Sequence, residues 1–221
     1  YYANTLKNAT GATLVEDGQK IEGNLPGVPF PIPQSGLEAI WNHMIRYGEP
    51  ASSENDVYYV GANGKPVLST TGSSVAITPM FEKPDQIVGE TPFTKLRVNY
   101  DAPARRAGEI LLVHEPGTST YDDAFIYNGS PERFTWTLVG KKEVIVPAAN
   151  YDMIFQTKVE DMLGEKFLDP EKIRWEKRRV WVVDSRLKEG SRHLYSRRTF
   201  YLDEDSWGAV ANEMYDGRDQ L

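Results

Sequence analysis

IRWEKRRVWVVDSRLKEGSRHLYSRRTFYL, residues 173–202, is the stretch on which the fold of this chain turns. Two runs rich in Val, Trp, Phe and Tyr, Ile173 to Asp184 and Arg192 to Leu202, flank the turn pair Glu189-Gly190. Such a pattern reads as two antiparallel strands. Ten basic residues lie between Lys172 and Arg198 against three acids, Glu176, Asp184 and Glu189. That local charge of +7 sits in a chain of net charge −7, which leaves −14 on the rest. A basic, aromatic hairpin on an acidic protein predicts one surface for an anionic partner and one for apolar packing.

The faces of the hairpin sharpen this. Trp175, Trp181 and Val183 share a strand face with Lys177 and Arg179; Leu194, Phe200 and Leu202 share one with Arg192, Ser196 and Arg198. Core packing, with Arg stems covering aromatic rings, explains most of these positions. Mixed charge and aromatics on one face also suit a surface that meets a lipid's head and tail, or one that docks an acidic protein. Arg178, Arg179, Arg197 and Arg198 are accordingly the candidates for holding an anionic head group or a partner.

Outward from the hairpin, the chain is a series of short strands. Asp203 to Ser206 turns it into Ala209 to Tyr215, and Asp216-Gly217 begins another turn five residues before Leu221. The unfinished strand predicts that the natural protein continues. Upstream, Phe134, Trp136 and Leu138 alternate with Thr135, Thr137 and Val139, and a second run covers Glu143 to Val146. Leu96, Val98 and Tyr100 alternate with charged and polar residues; Gly108 to Glu115 is more uniformly apolar. Val57 to Val60 and Pro66 to Thr70 flank Asn63-Gly64, a two-residue hairpin signal, and Val75 to Met80 is a further strand. Two helices are expected. Ser35 and Glu38 form a capping box ahead of Leu37, Ile40, Trp41, Met44 and Ile45, with Gly48 and Pro50 as the stop. A shorter one runs from Thr157 to Leu163, with a box at Thr157 and Glu160. The four prolines between Leu25 and Pro33 keep that stretch extended. About nine strands and two helices give an α+β class: a curved antiparallel β-sheet with a long helix packed in its concave face, one domain over residues 1–221.

Bulk numbers exclude several classes. A 40% hydrophobic and 26% charged composition is that of an ordinary globular domain. No apolar run approaches the ~20 residues of a membrane helix. The absence of Cys excludes disulfides, thiolate metal sites and a Cys nucleophile. A pI near 5.1 argues against nucleic acid as a partner. The chain opens at Tyr1-Tyr2-Ala3 with no signal peptide, as a mature or internal fragment would.

Chemistry is sparse. His43, His114 and His193 are far apart in sequence, with no H-E-x-x-H pair. There is no G-x-S-x-G elbow, and Gly72-Ser73-Ser74 lacks the Lys of a phosphate loop. Asp203-Glu204-Asp205 reads as a solvated turn rather than a Ca²⁺ loop. The acid pairs Asp122-Asp123 and Glu160-Asp161 have no sign of facing each other. The chain is therefore expected to be no enzyme, with no catalytic residue, metal site or cofactor. Aromatics and Met carry more weight: Trp41, Met44, Ile45, Trp136, Trp175, Trp181 and Phe200 are the candidates to line an apolar cavity.

Longer blocks add a resemblance. Pro31 to His43 (PIPQSGLEAIWNH), Tyr100 to Glu109 (YDAPARRAGE), Asp123-Ala124-Phe125, Asn128 to Arg133, Leu138 to Glu143 and Arg198 to Trp207 (RTFYLDEDSW) resemble an uncharacterised family of Gram-negative envelope proteins. That family is a domain of unknown function described as an outer-membrane lipoprotein-sorting protein. The resemblance implies a fold similar to the LolA/LolB carriers, an incomplete antiparallel barrel around helices. It implies a periplasmic, cell-envelope carrier or chaperone for a lipid or other hydrophobic ligand, working beside an RND-type (MMPL) exporter or an outer-membrane protein, with peripheral membrane contact. The alternative is an adaptor that docks without a ligand. The chain departs from the family by lacking its N- and C-terminal parts and by being shorter between Pro116 and Tyr121.

Overall fold

The computed structural model describes residues 12–18, 20–23, 27–82, 92–116 and 133–221. A small ribbon pairs β1 (Thr13–Val15) with β2 (Lys20–Glu22). Two four-stranded antiparallel meanders follow. The first is β3 (Ala51–Val60), β4 (Pro66–Ile77), β5 (Pro92–Ala102) and β6 (Ile110–Pro116). The second is β7 (Phe134–Pro147), β8 (Trp175–Leu187), β9 (Arg197–Asp203) and β10 (Ala209–Tyr215). Each strand pairs with its neighbour in sequence, and neither meander closes into a barrel. The helices are short: α1 (Gly36–Met44), α2 (Pro79–Glu82), α3 (Tyr151–Gln156) and α4 (Val159–Met162). No helix among the described residues is long and apolar enough to cross a membrane.

The antiparallel α+β class is as expected, but the long helix is not found: α1 has nine residues. It begins where the sequence predicts, with Glu38 N–H donating to Ser35 Oγ at 3.2 Å. The Glu38 carboxylate reaches one residue beyond a standard capping box, accepting from Gln34 N–H at 2.6 Å. The helix ends at Met44, short of Gly48, because Arg46 Nη1 donates to the His43 carbonyl at 2.6 Å and so satisfies a last-turn acceptor without a further turn.

α1 packs on β7 and β8. At Gly36 a Cβ would lie 2.7 Å from the Thr137 nitrogen, so only glycine allows the helix to sit this close. The helix has two apolar sides. Ala39 and Ile40 join Trp181, Val183, Leu202 and Trp207 in one core. Trp41 and Ile45 join Ile21 in another, and Met44 touches both. Each large side chain fully buried here contributes roughly 1.5–3 kcal/mol. Two polar side chains of α1 are satisfied here, whereas the Trp181 indole N–H is buried without a partner. Trp41 Nε1 donates to the Gly18 carbonyl at 2.9 Å. Asn42, fully buried, grips the Phe30 backbone from both sides, accepting its N–H at 3.0 Å and donating to its carbonyl at 2.6 Å. The described part of the proline-rich stretch is thereby pinned to α1; Leu25 and Pro26 lie outside the described residues.

Elsewhere the strands merge where the sequence suggests breaks. Pro66 to Thr70 and Val75 to Met80 belong largely to one twelve-residue strand, β4. Gly72 marks a register shift there, and a Cβ on it would stand 2.0 Å from the Asn99 carbonyl oxygen. The β3–β4 connection is Gly61 to Lys65 rather than a two-residue turn, because Asn63 Oδ1 accepts from Lys65 N–H at 3.1 Å. The expected helix from Thr157 to Leu163 is divided between α3 and α4: Thr157 Oγ1 donates back to the Asp152 carbonyl at 3.2 Å, so its box with Glu160 does not form. The expected shortening between Pro116 and Tyr121 and the pair Asp122-Asp123 lie outside the described residues.

Candidate functional site

Directly opposed residues of an antiparallel ladder share a face. Across the second meander, Trp136 stands opposite Ser185, Ser185 opposite Arg198, and Arg198 opposite Met214. The next row is Leu138, Val183, Phe200 and Asn212. An arginine therefore stands among Trp136, Leu138, Val183 and Phe200 on a largely apolar face, the one that α1 covers at Val183 and Leu202.

Arg198 is only 4% exposed. Its guanidinium carbon lies 4.2 Å from the Phe134 ring centre, 5.3 Å from Phe200 and 5.7 Å from Trp136. Nε and Nη2 are buried without a hydrogen-bond partner. Burial lowers its pKa to about 10, so it is charged at neutral pH. Three aromatic faces offer a cation roughly 0.5–2 kcal/mol each, which offsets part of the desolvation. Ser185 makes the space: its small side chain faces the arginine, and its Oγ donates to the Arg198 carbonyl at 3.1 Å. His193 stands edge-on to Phe134 at 5.0 Å. Its pKa is lowered first by burial and then by the Arg198 charge. The Tyr195 N–H donates to His193 Nδ1 at 3.0 Å, which puts the proton on Nε2.

The other three candidate arginines are tied to carboxylates. Arg178 bridges Glu176 at 2.7 Å and the buried Asp203 at 3.7 Å. Arg179 pairs with Glu204, which also takes Lys141, and these cations hold the Glu204 carboxyl below its ordinary range. Arg197 Nε donates to Asp184 at 2.8 Å, and Thr199 Oγ1 shares the same oxygen. Three of the four candidate arginines are thus paired, with Glu176 and Asp184 of the hairpin and Asp203 and Glu204 just after it, and Arg198 stands apart.

The apolar candidates divide. Trp136 and Phe200 stand beside Arg198, their rings 5.7 Å apart. Trp181 is buried, stacked on Trp207 with ring centres 6.3 Å apart, and capped by Lys141 Nζ at 4.3 Å. Trp41, Met44 and Ile45 pack in the cores around α1. Trp175 lies apart, exposed, with Nε1 donating to the Pro170 carbonyl at 3.1 Å.

The first meander presents a different surface. By register, Val57, Tyr59, Val67, Leu96, Val98, Leu111 and Val113 share one face. Val113 is buried, but Val57, Tyr59, Val67 and Leu111 are 36–56% exposed. Between them Ser53, Asn55 and Ser74 form a polar cluster, with Ser53 and Ser74 hydroxyls 2.9 Å apart. Among the described residues, no three His, Asp or Glu side chains converge as a metal site would need.

Comparison with known proteins places the chain. The family model for the protein of unknown function DUF1329 matches residues 1–117 and 116–221. The chain belongs to the DUF1329 family. It is 33% identical over 260 residues to the uncharacterized protein PA3922 of Pseudomonas aeruginosa, covering 97% of this chain and 56% of that protein. The chain thus spans about half the length of this curated relative. Among solved structures, it is similar to an outer membrane lipoprotein-sorting protein domain from Vibrio parahaemolyticus, with TM-score 0.47, 11% identity, and 84% and 74% of the two chains covered. It is likewise similar to a DUF1329 family protein from Desulfovibrio piger, with TM-score 0.46, 13% identity, and 85% and 77% covered. The LolA superfamily protein NE2245 of Nitrosomonas europaea gives TM-score 0.42 at 9% identity, with 86% and 75% covered.

In this DUF1329 chain, sequence reasoning missed Phe134, Ser185 and His193 as members of the Arg198 site. Phe134 was visible in the alternation with Trp136 and Leu138. Ser185 was visible as the one small residue breaking the apolar run of β8. His193 carried no signal, since its position depends on the path of the loop.

Proposed function

We propose that this DUF1329 protein works in the periplasm as a carrier or chaperone for a lipid or other apolar molecule, beside an RND-type exporter or an outer-membrane partner. In this reading the two meanders act as parts of one incomplete, LolA/LolB-like barrel wall with α1 on its inner side. The observation that carries it is the apolar face of the first meander. Val57, Tyr59, Val67 and Leu111 are left open to solvent on the same side as buried Val113. Apolar surface of this kind gains roughly 25 cal/mol for each Å² a cargo removes from water. The resemblance of the sequence blocks to an uncharacterised envelope family described as lipoprotein-sorting supports the same reading.

A second reading is an adaptor that docks on a partner and holds no ligand. It is favoured by the packing under α1, where Trp181, Val183 and Leu202 are buried against Ala39 and Ile40. Native mass spectrometry of the protein from its own source, followed by organic extraction and lipid analysis, separates the two. A stoichiometric, reproducible lipid supports the carrier and names its cargo class. Protein that is bare, and stays bare after incubation with envelope lipids, moves the assignment to the adaptor.

A further inference from the structure

Among the described arginines on or beside the strands of the second meander, Arg198 is the one whose buried guanidinium nitrogens are left without a partner. Arg174, Arg178, Arg179, Arg186 and Arg197, on or beside the same strands, each have a carboxylate within reach. The chain has 32 acids for 25 bases, so acids are not scarce. Yet Arg198, the most deeply buried of these six, faces Phe134, Trp136, Phe200 and Ser185. A buried charge is retained at a cost unless something pairs with it.

The geometry says what that something is. Nε and Nη2 lie on the same edge of a guanidinium and point their N–H bonds in parallel. These are the two nitrogens left without a partner. A free edge of this kind fits two oxygens of one carboxylate or phosphate, held by two charge-assisted hydrogen bonds. The rings around it supply an apolar wall at the same place, which an inorganic ion would not use. We propose that the Nε–Nη2 edge of Arg198 receives the carboxylate or phosphate head of an amphiphile whose apolar part lies against Phe134, Trp136 and Phe200. This deepens the carrier reading and rests on it, since it names the cargo as anionic at one end. His193 and Tyr195, on the loop 188–196 between β8 and β9, lie close to Arg198: the Arg198 charge helps lower the His193 pKa, and Tyr195 acts to raise that of Arg198. Entry of the head group requires that loop to shift.

The test is titration of the full chain with oleate and with oleyl alcohol, followed by tryptophan fluorescence and calorimetry. Acetate and inorganic phosphate serve as headgroup-only probes. The wild type is expected to bind oleate roughly tenfold or more tightly than the alcohol, the size of a lost charged hydrogen bond. In Arg198→Met the two ligands should bind alike, while Arg198→Lys, with a charge but no fork, keeps part of the preference. The melting temperature of Arg198→Met should not fall, because an unpaired buried charge is removed. Equal affinity for acid and alcohol in the wild type overturns the proposal and leaves the carrier reading standing. So does a preference that survives Arg198→Met. Acetate or phosphate binding as tightly as oleate also overturns it, since the site would then serve a free oxyanion. Failure of both long-chain ligands to bind overturns the carrier reading as well. If Arg198→Met does not fold, the wild-type preference and Arg198→Lys decide.

Discussion

In the second meander, the residues under α1, Trp181, Val183 and Leu202, are at most 9% exposed; in the first, nine of the ten residues of β3 are exposed. The two have the same strand number, the same sequential pairing and the same antiparallel ladders. What differs is the cover and the pattern that calls for it. β7, β8 and β9 place large apolar groups in adjacent rows and receive a helix. β3 and β4 interrupt their apolar face with Ser53, Asn55, Gly72 and Ser74, and hold those positions together by cross-strand hydrogen bonds. Backbone ladders alone make a sheet but not a stable layer. The second meander shares a packed core with α1, whereas the first leaves apolar groups open to solvent.

Core truncation gives the largest test of that contrast. Trp181→Ala should cost about 3–5 kcal/mol of unfolding free energy, the range for a large aromatic removed from a packed core. Tyr59→Ala, on the open face, should stay within about 0.5 kcal/mol without ligand. Urea denaturation of both variants measures the difference, and equal losses would mean that the first meander has a core of its own.

Acid comes next. His43, partly enclosed between α1 and the β9–β10 turn, donates from Nδ1 to the Trp207 carbonyl at 2.8 Å. Burial, with the Arg46 charge second, lowers its pKa to about 4 from 6.5. The unfolded chain therefore binds more protons than the folded one between those values. Stability is fully present above pH 6.5 and is lost as pH falls toward 4. At 1.36 kcal/mol per pKa unit the loss is at most about 3 kcal/mol. Glu204, held down by its Lys141 hydrogen bond, weakens the fold in the same direction. Comparison of wild type with His43→Gln by urea titration at pH 7 and pH 4.5 isolates the histidine: the variant should lose less stability across that interval.

A smaller effect should distinguish the meanders locally. A Cβ at position 72 collides with the Asn99 carbonyl oxygen, and both are backbone-fixed. Gly72→Ala should cost about 1–3 kcal/mol through overpacking. Hydrogen exchange should speed up in β4 and β5 and leave β8 and β9 unchanged; a uniform change would show that the two meanders unfold together.

The contrast was only half legible in the residues. Alternation exposed the buried rows of β7 and β9, and the density of Val, Trp and Phe marked β8. Cross-strand partners were not legible. A two-residue turn at Glu189-Gly190 would set Ser185 opposite Leu194 and Asp184 opposite Tyr195. The actual connection, Lys188 to Ser196, sets Ser185 opposite Arg198 and Asp184 opposite Thr199. The displacement is even, so every side chain keeps its predicted face while its partners change. That is why Arg198 could be placed among the aromatics from sequence, and why its lack of a carboxylate partner among the described residues could not. The length of α1 was hidden for a related reason: apolar periodicity continues through Ile45, and the side chain of Arg46 ends the helix.

The exposed end of β8 offers the smallest effect. Lys177 Nζ pairs with Glu143 at 2.9 Å, and both side chains are more than 60% exposed. The Lys177 hydrogen bond lowers the Glu143 pKa, but water and salt screen a pair in this position. Lys177→Ala should leave the urea midpoint within error of wild type at physiological salt. Arg178→Ala should lower it, because Arg178 faces Asp203, whose side chain is only 5% exposed. Removing that partner leaves a buried carboxylate held only by its own turn, through the N–H groups of Asp205 and Ser206 and the Ser206 hydroxyl. Two substitutions one residue apart on β8, differing only in the face they occupy, should therefore separate the charge that stabilises the sheet from the charge that merely solvates it.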